Sequence, residues 1–333
     1  MNKVKIIALG IIFLAISLWL VRLRHDREFH LEKQMCVMMD TYVTIYAGGP
    51  KKVVLGPMRL ARKRMQEVEE KFSAFNLKSP VYAFNHDGTP ITNPEILGVV
   101  RTALSISRDS GGAFDITIFP LSVLWGFATK TPKVPSEDQI KETLKHVGYQ
   151  HLILSDGRLT KDDPLVEIDL GGIAKGYVVG EGIKVLKNHG VKSALIVAGG
   201  DIYALGKKGS KRWKIGVRNP FKEGILGSLE VEDVAVMGSG DYERFFIKDG
   251  KKYHHIFNPK TGYPATGASG VTVISADPVL ADAWGPALLV LGPQKGLEII
   301  KKKPYLGAVM VTPEGKIFYS SDQVRTSLRL SLM

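Results

Sequence analysis

The 333-residue chain contains a single cysteine, Cys36, so it can form no internal disulfide, and it lacks the paired-cysteine spacing of a zinc site. No G-x-x-x-x-G-K-[ST] run and no G-x-G-x-x-G run occurs, which removes the P-loop and the dinucleotide-fold fingerprint. There is no internal repeat and no low-complexity linker. Neither zinc-finger spacing nor a dense basic helix stands out, so nucleic acid is not the expected partner. A hydrophobic content of 44% with 23% charged residues excludes disordered and collagen-like classes and leaves a globular chain. A small-residue A-x-A cleavage site is also missing after the apolar run Ile6–Val21, where Arg22-Leu-Arg-His-Asp-Arg27 follows instead.

That run is charge-free for 16 residues behind Lys3 and Lys5. It predicts an uncleaved signal anchor over residues 1–30, a catalytic domain over 31–333, and a place at the cell membrane with the domain extracytoplasmic or periplasmic. Flanking charges on both sides leave the positive-inside rule undecided. The net charge is +12, of which residues 1–30 carry five basic against two acidic groups, so most of the excess belongs to the body. A basic body suits anionic ligands or lipid headgroups.

Within the body, short alternating segments after residue 193 form an antiparallel meander beside helices, which predicts an α+β fold with mixed or antiparallel sheets. Met35–Ala47 reads as one strand with Met39-Asp-Thr41 inside it or at its entrance, and Cys36 reads as a small buried residue in that strand. Val166–Gly176 reads as a strand end, a Gly171-Gly172 turn and a helix start. Such a junction binds anions, because free N–H groups and the helix dipole converge there. Lys175 adds a charge, while Asp169 is an odd neighbour for a phosphate unless a cation or a ring N–H intervenes.

Three further positions call for partners. Asp115 sits among aromatics and glycines, where it either caps a turn or holds a ligand, since an unpaired buried carboxylate is costly. Asp282 lies in an apolar helix without an obvious protein partner, for which a metal ion is an economical explanation. His254 and His255 face opposite sides if their segment is a strand, so one of them shares a given pocket and becomes a candidate general base.

These segments together resemble the ApbE family, the FAD:protein FMN transferases. The resemblance runs from Met35 to Tyr319 through eight ordered blocks. They are Met39-Asp-Thr41, then Phe72-Ser73 to Asn85, then Gly112-Ala-Phe-Asp-Ile-Thr117 with Pro120-Leu121 and Trp125-Gly126, then Asp169 to Gly176. Gly199-Gly-Asp201, Ser239-Gly-Asp-Tyr-Glu-Arg244, His255 to Gly262 and Ala281-Asp282 complete the series.

The resemblance implies Mg2+-dependent transfer of FMN from FAD to a Ser or Thr hydroxyl of an acceptor protein, with release of AMP. It implies an FAD site lined by Met39, Phe75, Ala113, Phe114, Asp115, Asp169, Lys175 and Ile256, with catalytic roles for His255 and Asp169. The carbonyl of Gly172 and the carboxylate of Asp282 are expected at the metal. The two further metal positions of the family pattern are Gly285 and Pro286 here, and neither has a side-chain oxygen. Proline inside a helix also tends to kink it. The resemblance leaves one alternative in which water replaces the acceptor hydroxyl, an Mg2+-dependent FAD pyrophosphatase, and the departure at Pro286 leaves another, an FAD-binding protein with weak turnover.

Overall fold

The computed structural model describes residues 29–330, so the predicted membrane segment lies outside the described residues apart from its last two positions. Among the described residues, no helix is long and apolar enough to cross a membrane.

The chain opens with an antiparallel hairpin, β1 (Leu31–Met38) and β2 (Thr41–Gly48), joined through Met39 and Asp40 at φ of 52° and 55°. The single strand expected over Met35–Ala47 is therefore two strands. Two consecutive left-handed residues reverse the chain tightly, and apolar alternation on both sides masks the reversal in the sequence. Cys36 is half-buried in β1. Helices α1 (Lys51–Phe72), α2 (Pro80–Asp87), α3 (Pro94–Asp109), α4 (Phe119–Leu124) and α5 (Glu137–Leu144) follow. The small hairpin β3 (Leu152–Ser155) and β4 (Arg158–Lys161) then leads into α6 (Gly171–Asn188).

The second half contains β5 (Ala194–Ala198), β6 (Asp201–Leu205), β7 (Trp213–Arg218), β8 (Ile225–Val231), β9 (Val234–Gly240), β10 (Phe245–Lys248), β11 (Lys251–His254) and β12 (Gly270–Ser275). Helix α7 (Pro278–Ile300), β13 (Gly307–Val311), β14 (Ile317–Tyr319), α8 (Asp322–Ser327) and β15 (Leu328–Leu330) close the chain.

One antiparallel sheet of eight strands, in the order β1-β2-β5-β6-β9-β12-β13-β14, organises these elements. Helices α1, α6 and α7 supply its main core, with Met58, Met65, Ile173, Val179, Trp284 and Leu288 buried against Val43, Ile45, Ile196 and Val273. Strands β7 and β8 bury Trp213, Ile215 and Leu229 in a second cluster with Ala204, Val236 and Val309 of the large sheet. Period-3.6 apolar stripes on the helices and period-2 alternation on the strands make this layered solution the stable one. The α+β fold expected from the sequence is the fold observed.

A buried-edge ionic group ties three helices together. Arg64 of α1 pairs with Glu95 of α3 and, at 2.6 Å, with Glu181 of α6; Lys71 also pairs with Glu95, and Tyr177 donates to Glu95 at 3.2 Å. Burial raises the Glu95 pKa, but hydrogen bonds from Arg64 and Lys71 outweigh it and hold the carboxyl at about 2. A depressed carboxylate stabilises the fold above its unfolded value and loses that contribution as pH falls through the folded one. Urea unfolding between pH 4.5 and about 2 is therefore expected to show a steep acid loss of stability in the wild type and a shallower one in Glu95→Gln. Equal slopes in the two proteins would refute this assignment.

Candidate active site

Gly171 and Gly172 form the first turn of α6 itself, preceded by the irregular segment Val166–Leu170 in place of the expected strand end, so the expected glycine turn is helical. The reversal is achieved upstream, where Leu170 already adopts a non-extended conformation at φ −89°, ψ 2°. The Gly171 N–H donates to Asp169 Oδ1 at 2.7 Å, and the Asp169 N–H donates to the Ile116 carbonyl at 2.7 Å. Asp169 thus covers the open end of α6. Burial pushes its carboxyl pKa up, against the Gly171 N–H and the nearby Arg244 charge.

The same turn of α6 packs on α7. A Cβ at Gly176 would stand 2.2 Å from the Pro278 carbonyl oxygen and 2.8 Å from Asp282 Cβ, so only glycine permits this approach. The Gly176 N–H donates to Asp282 Oδ2 at 2.7 Å, giving the buried Asp282 the protein partner that its sequence context did not disclose. Gly172 stands next to Pro286, whose Cγ is 3.7 Å from the position a Cβ at 172 would take, and next to Phe114 at 3.3 Å. Three of the expected metal positions, Gly172, Asp282 and Pro286, are thereby brought together.

Gly285 faces Ser239, whose Oγ lies 2.3 Å from the position of a Cβ at 285. The Ser239 hydroxyl takes the volume that a side chain at 285 would need.

Pro286 does not kink α7. The one non-helical residue inside it is Gly292, at φ 73° and ψ 172°, immediately before Pro293. The missing side chain at Gly172 leaves room beside the Pro286 ring, and the break falls where glycine can adopt the left-handed region and proline can restart a helix.

Across from α7, Lys175 forms an ion pair with Asp201, which is 0% exposed and whose Oδ1 accepts from the Gly238 N–H at 3.1 Å. Burial disfavours the Lys175 charge, but Asp201 and Asp282 outweigh it and raise its pKa. Burial pushes the Asp282 carboxyl up; Lys175 opposes that shift and Asp201 adds to it. Glu243 is likewise raised by burial, with Lys175 acting against it. Three carboxylates therefore act on one ammonium, with Arg218 as a second cation acting on Glu243.

This imbalance is what a divalent cation would relieve. Among the described residues, no three His, Cys, Asp or Glu side chains converge on one metal position. Magnesium does not require such a cage, because one carboxylate, carbonyls, water and substrate phosphates suffice. The donors present fit that requirement: Asp282 and the Gly172 carbonyl are the groups that could hold such an ion.

Of the remaining predicted residues, Phe114 lies beside Gly172. Met39 occupies the β1–β2 turn, with its N–H donating to Glu69. Phe75 packs edge-on against Phe119, at 5.5 Å between centroids, and keeps an exposed face. Ala113, Phe114 and Ile256 are buried. Asp115 caps a turn: Oδ1 accepts from the Thr117 N–H and hydroxyl at 2.8 and 2.7 Å, and Oδ2 from the Tyr149 N–H at 2.7 Å. Of the two readings open for Asp115, these bonds satisfy the first.

His254 and His255 have separate surroundings. His254 Nε2 bonds the Ala265 carbonyl at 2.8 Å and Nδ1 accepts from the Ile256 N–H at 3.3 Å, a structural role. His255 Nδ1 lies 3.2 Å from the Arg244 carbonyl, which can only accept, so Nδ1 carries the proton and Nε2 the lone pair. Burial, then the Arg244 charge, pushes the His255 pKa down to about 3. Its imidazole is neutral at physiological pH.

Sequence reasoning did not assign site roles to Asp201, Ser239, Glu243 and Arg244. Their signal was present in the Gly199-Gly-Asp201 and Ser239–Arg244 blocks, but only the β6–β9 pairing brings those blocks beside Lys175.

The fold is shared with solved structures. The chain superposes on the ApbE protein from Thermotoga maritima with a TM-score of 0.84 at 31% identity, over 90% of this chain and 100% of that one. It superposes on the flavin transferase ApbE from Vibrio cholerae with a TM-score of 0.80 at 26% identity, over 88% and 98%. The architecture is thus that of an ApbE-type α+β protein. The ApbE family model matches residues 39–310. An FAD:protein FMN transferase from Klebsiella pneumoniae (strain 342) is 33% identical over 267 residues, 78% of this chain and 83% of that relative. Another, from Treponema pallidum (strain Nichols), is 30% identical over 308 residues, 85% of each. The chain belongs to the ApbE family.

Proposed function

We propose that this protein is an FAD:protein FMN transferase that acts with Mg2+ on a Ser or Thr hydroxyl of an acceptor protein. The observation that carries the reading is the charged group on the first turns of α6, where Lys175 pairs with Asp201 and the Gly176 N–H donates to Asp282, one turn on from Gly172. Such a group suits a pyrophosphate held between an ammonium and a cation.

In the proposed reaction the acceptor oxygen attacks the FMN-side phosphorus of FAD. A new P–O bond forms, the bridging P–O bond breaks, and AMP leaves with the bridging oxygen. The hydroxyl proton passes to His255 Nε2, the ring nitrogen that the Arg244 carbonyl leaves free, with the phosphates of bound FAD opposing the Arg244 charge that helps hold its pKa down. A bound Mg2+ would neutralise phosphate charge that grows in the transition state. Lys175 supplies fixed positive charge to the same oxygens, Asp169 holds the α6 terminus in position, and the exposed face of Phe75 offers a ring to stack on.

The test is incubation of the protein with FAD, Mg2+ and a flavin-acceptor protein, followed by denaturing gel fluorescence. Covalent flavin on the acceptor is the expected result; its absence with an acceptor that a relative modifies would reject the proposal. FMN and AMP released without an acceptor would identify the pyrophosphatase alternative.

Pro286 favours a second reading, an FAD-binding protein with slow turnover, because the position offers no ligand oxygen. Under that reading Pro286→Thr raises turnover severalfold at equal FAD occupancy, and an unchanged rate excludes it.

We further propose that residues 1–30 tether the protein to the cell membrane with the catalytic domain outside the cytoplasm. The support is the 16-residue apolar run and the absence of a cleavage site after it.

A further inference from the structure

The outer face of α1 has no role in the site described above. Residues 51–66 contain six basic residues, Lys51, Lys52, Arg59, Arg62, Lys63 and Arg64, and no acidic one. Arg64 is taken up by Glu95 and Glu181, and Lys63 lies 3.8 Å from Glu67. The other four carry no ion pair among the described residues, and all four are exposed. At helical spacing Lys52 and Arg59 point to the side of α1 away from the buried stripe of Val54, Met58, Ala61 and Met65, while Lys51 and Arg62, three and four residues from Val54 and Met58, border that stripe. On the flank of that side stand Val53, 57% exposed, and Leu60, 46% exposed, seven residues apart. A Cβ at Gly56, between them, would meet nothing within 4 Å, so the face is open.

Lys52 and Arg59 with exposed aliphatic side chains on one flank suit a surface that is anionic at its headgroups and apolar beneath them. A nucleic acid or an acidic protein would use the cations but leave Val53 and Leu60 without purpose. Chain connectivity points the same way. The Gly49 N–H donates to the His30 carbonyl at 2.9 Å, which places the entry of the described chain beside the N-terminal end of α1. Val21, the last residue of the apolar run, is nine residues before His30. Nine extended residues span at most about 30 Å, so a membrane-held run would keep this end of α1 near the bilayer.

We infer that the N-terminal half of α1 lies on an anionic phospholipid surface and orients the catalytic domain on the membrane. The placement rests on the proposed tether, yet contact and tether are measured separately. The Phe75 end of the site is remote from this face: 13 helical residues, about 20 Å, separate Arg59 from Phe72.

The experiment uses the full chain reconstituted in vesicles of phosphatidylcholine, with or without phosphatidylglycerol, with Cys36→Ala as background. A fluorophore on Val53→Cys reports contact through quenching by doxyl-labelled lipid; one on Ile247→Cys, exposed in the β10–β11 hairpin, is the control. Quenching at Val53→Cys is expected in anionic vesicles at about 0.1 M salt. It should decline toward the zwitterionic level at about 1 M, as the Debye length shrinks from about 10 to about 3 Å.

Reversing Lys51, Lys52, Arg59 and Arg62 to Glu should bring quenching down to the zwitterionic level while transfer to a soluble acceptor in detergent is unchanged. No quenching in anionic vesicles, or equal quenching at both sites, overturns the inference, whether or not the chain floats with vesicles. Flotation at high salt tests the tether alone.

Discussion

Lys175→Ala is expected to abolish transfer and to destabilise the fold by about 3–5 kcal/mol, the usual cost of removing one partner from a buried ion pair. The cost arises because Asp201 is fully buried and retains only the Gly238 N–H, while Asp282 and Glu243 lose the one ammonium they share. Urea unfolding of the single variant should show a lower midpoint. The double variant Lys175→Ala/Asp201→Asn should recover much of that stability, because the uncompensated charge is gone, without recovering activity. If the double variant regained activity as well, Lys175 would be a structural residue and its role at the phosphates would be lost.

Gly176→Ala should have the second-largest effect. The added methyl would lie 2.2 Å from the Pro278 carbonyl oxygen and 2.8 Å from Asp282 Cβ, and a backbone carbonyl cannot swing aside as a flexible side chain can. Overpacking of this kind costs about 1–3 kcal/mol. The helix pair must separate, so the bond from the Gly176 N–H to Asp282 lengthens and the carboxylate moves relative to the Gly172 carbonyl. Mg2+ titration by calorimetry should show affinity weakened about tenfold or more, together with a fall in melting temperature. Gly56→Ala is the matched control: it sits in an open helical position and should stabilise by about 0.5–1 kcal/mol through reduced unfolded-state entropy. Equal effects at the two glycines would contradict the close packing described for α6 and α7.

These effects show why the site was only partly legible before the fold was known. The blocks around Asp169, Lys175, His255 and Asp282 stand out because each places a charged or titratable residue in apolar or glycine-rich company. Asp115 stands out for the same reason, yet its carboxylate is satisfied by Thr117 and Tyr149. Sequence context announces that such a group needs partners without saying whether they are protein or ligand. Asp201 drew no comment as a site residue because a glycine turn ending in an acid is an ordinary surface pattern. Its burial follows from the register of β5, β6 and β9.

The sequence by itself determined the α+β class. It also determined the family, because ordered motifs along the chain require no coordinates. Local periodicity and turn chemistry are properties of neighbours in the chain, and they survive without knowledge of the fold. Tertiary structure alone decided which carboxylates Lys175 neutralises, which histidine has a free nitrogen, and that Ser239 occupies the space beside Gly285. Those outcomes depend on approaches between segments up to about a hundred residues apart, where a few tenths of an ångström separate a hydrogen bond from a clash.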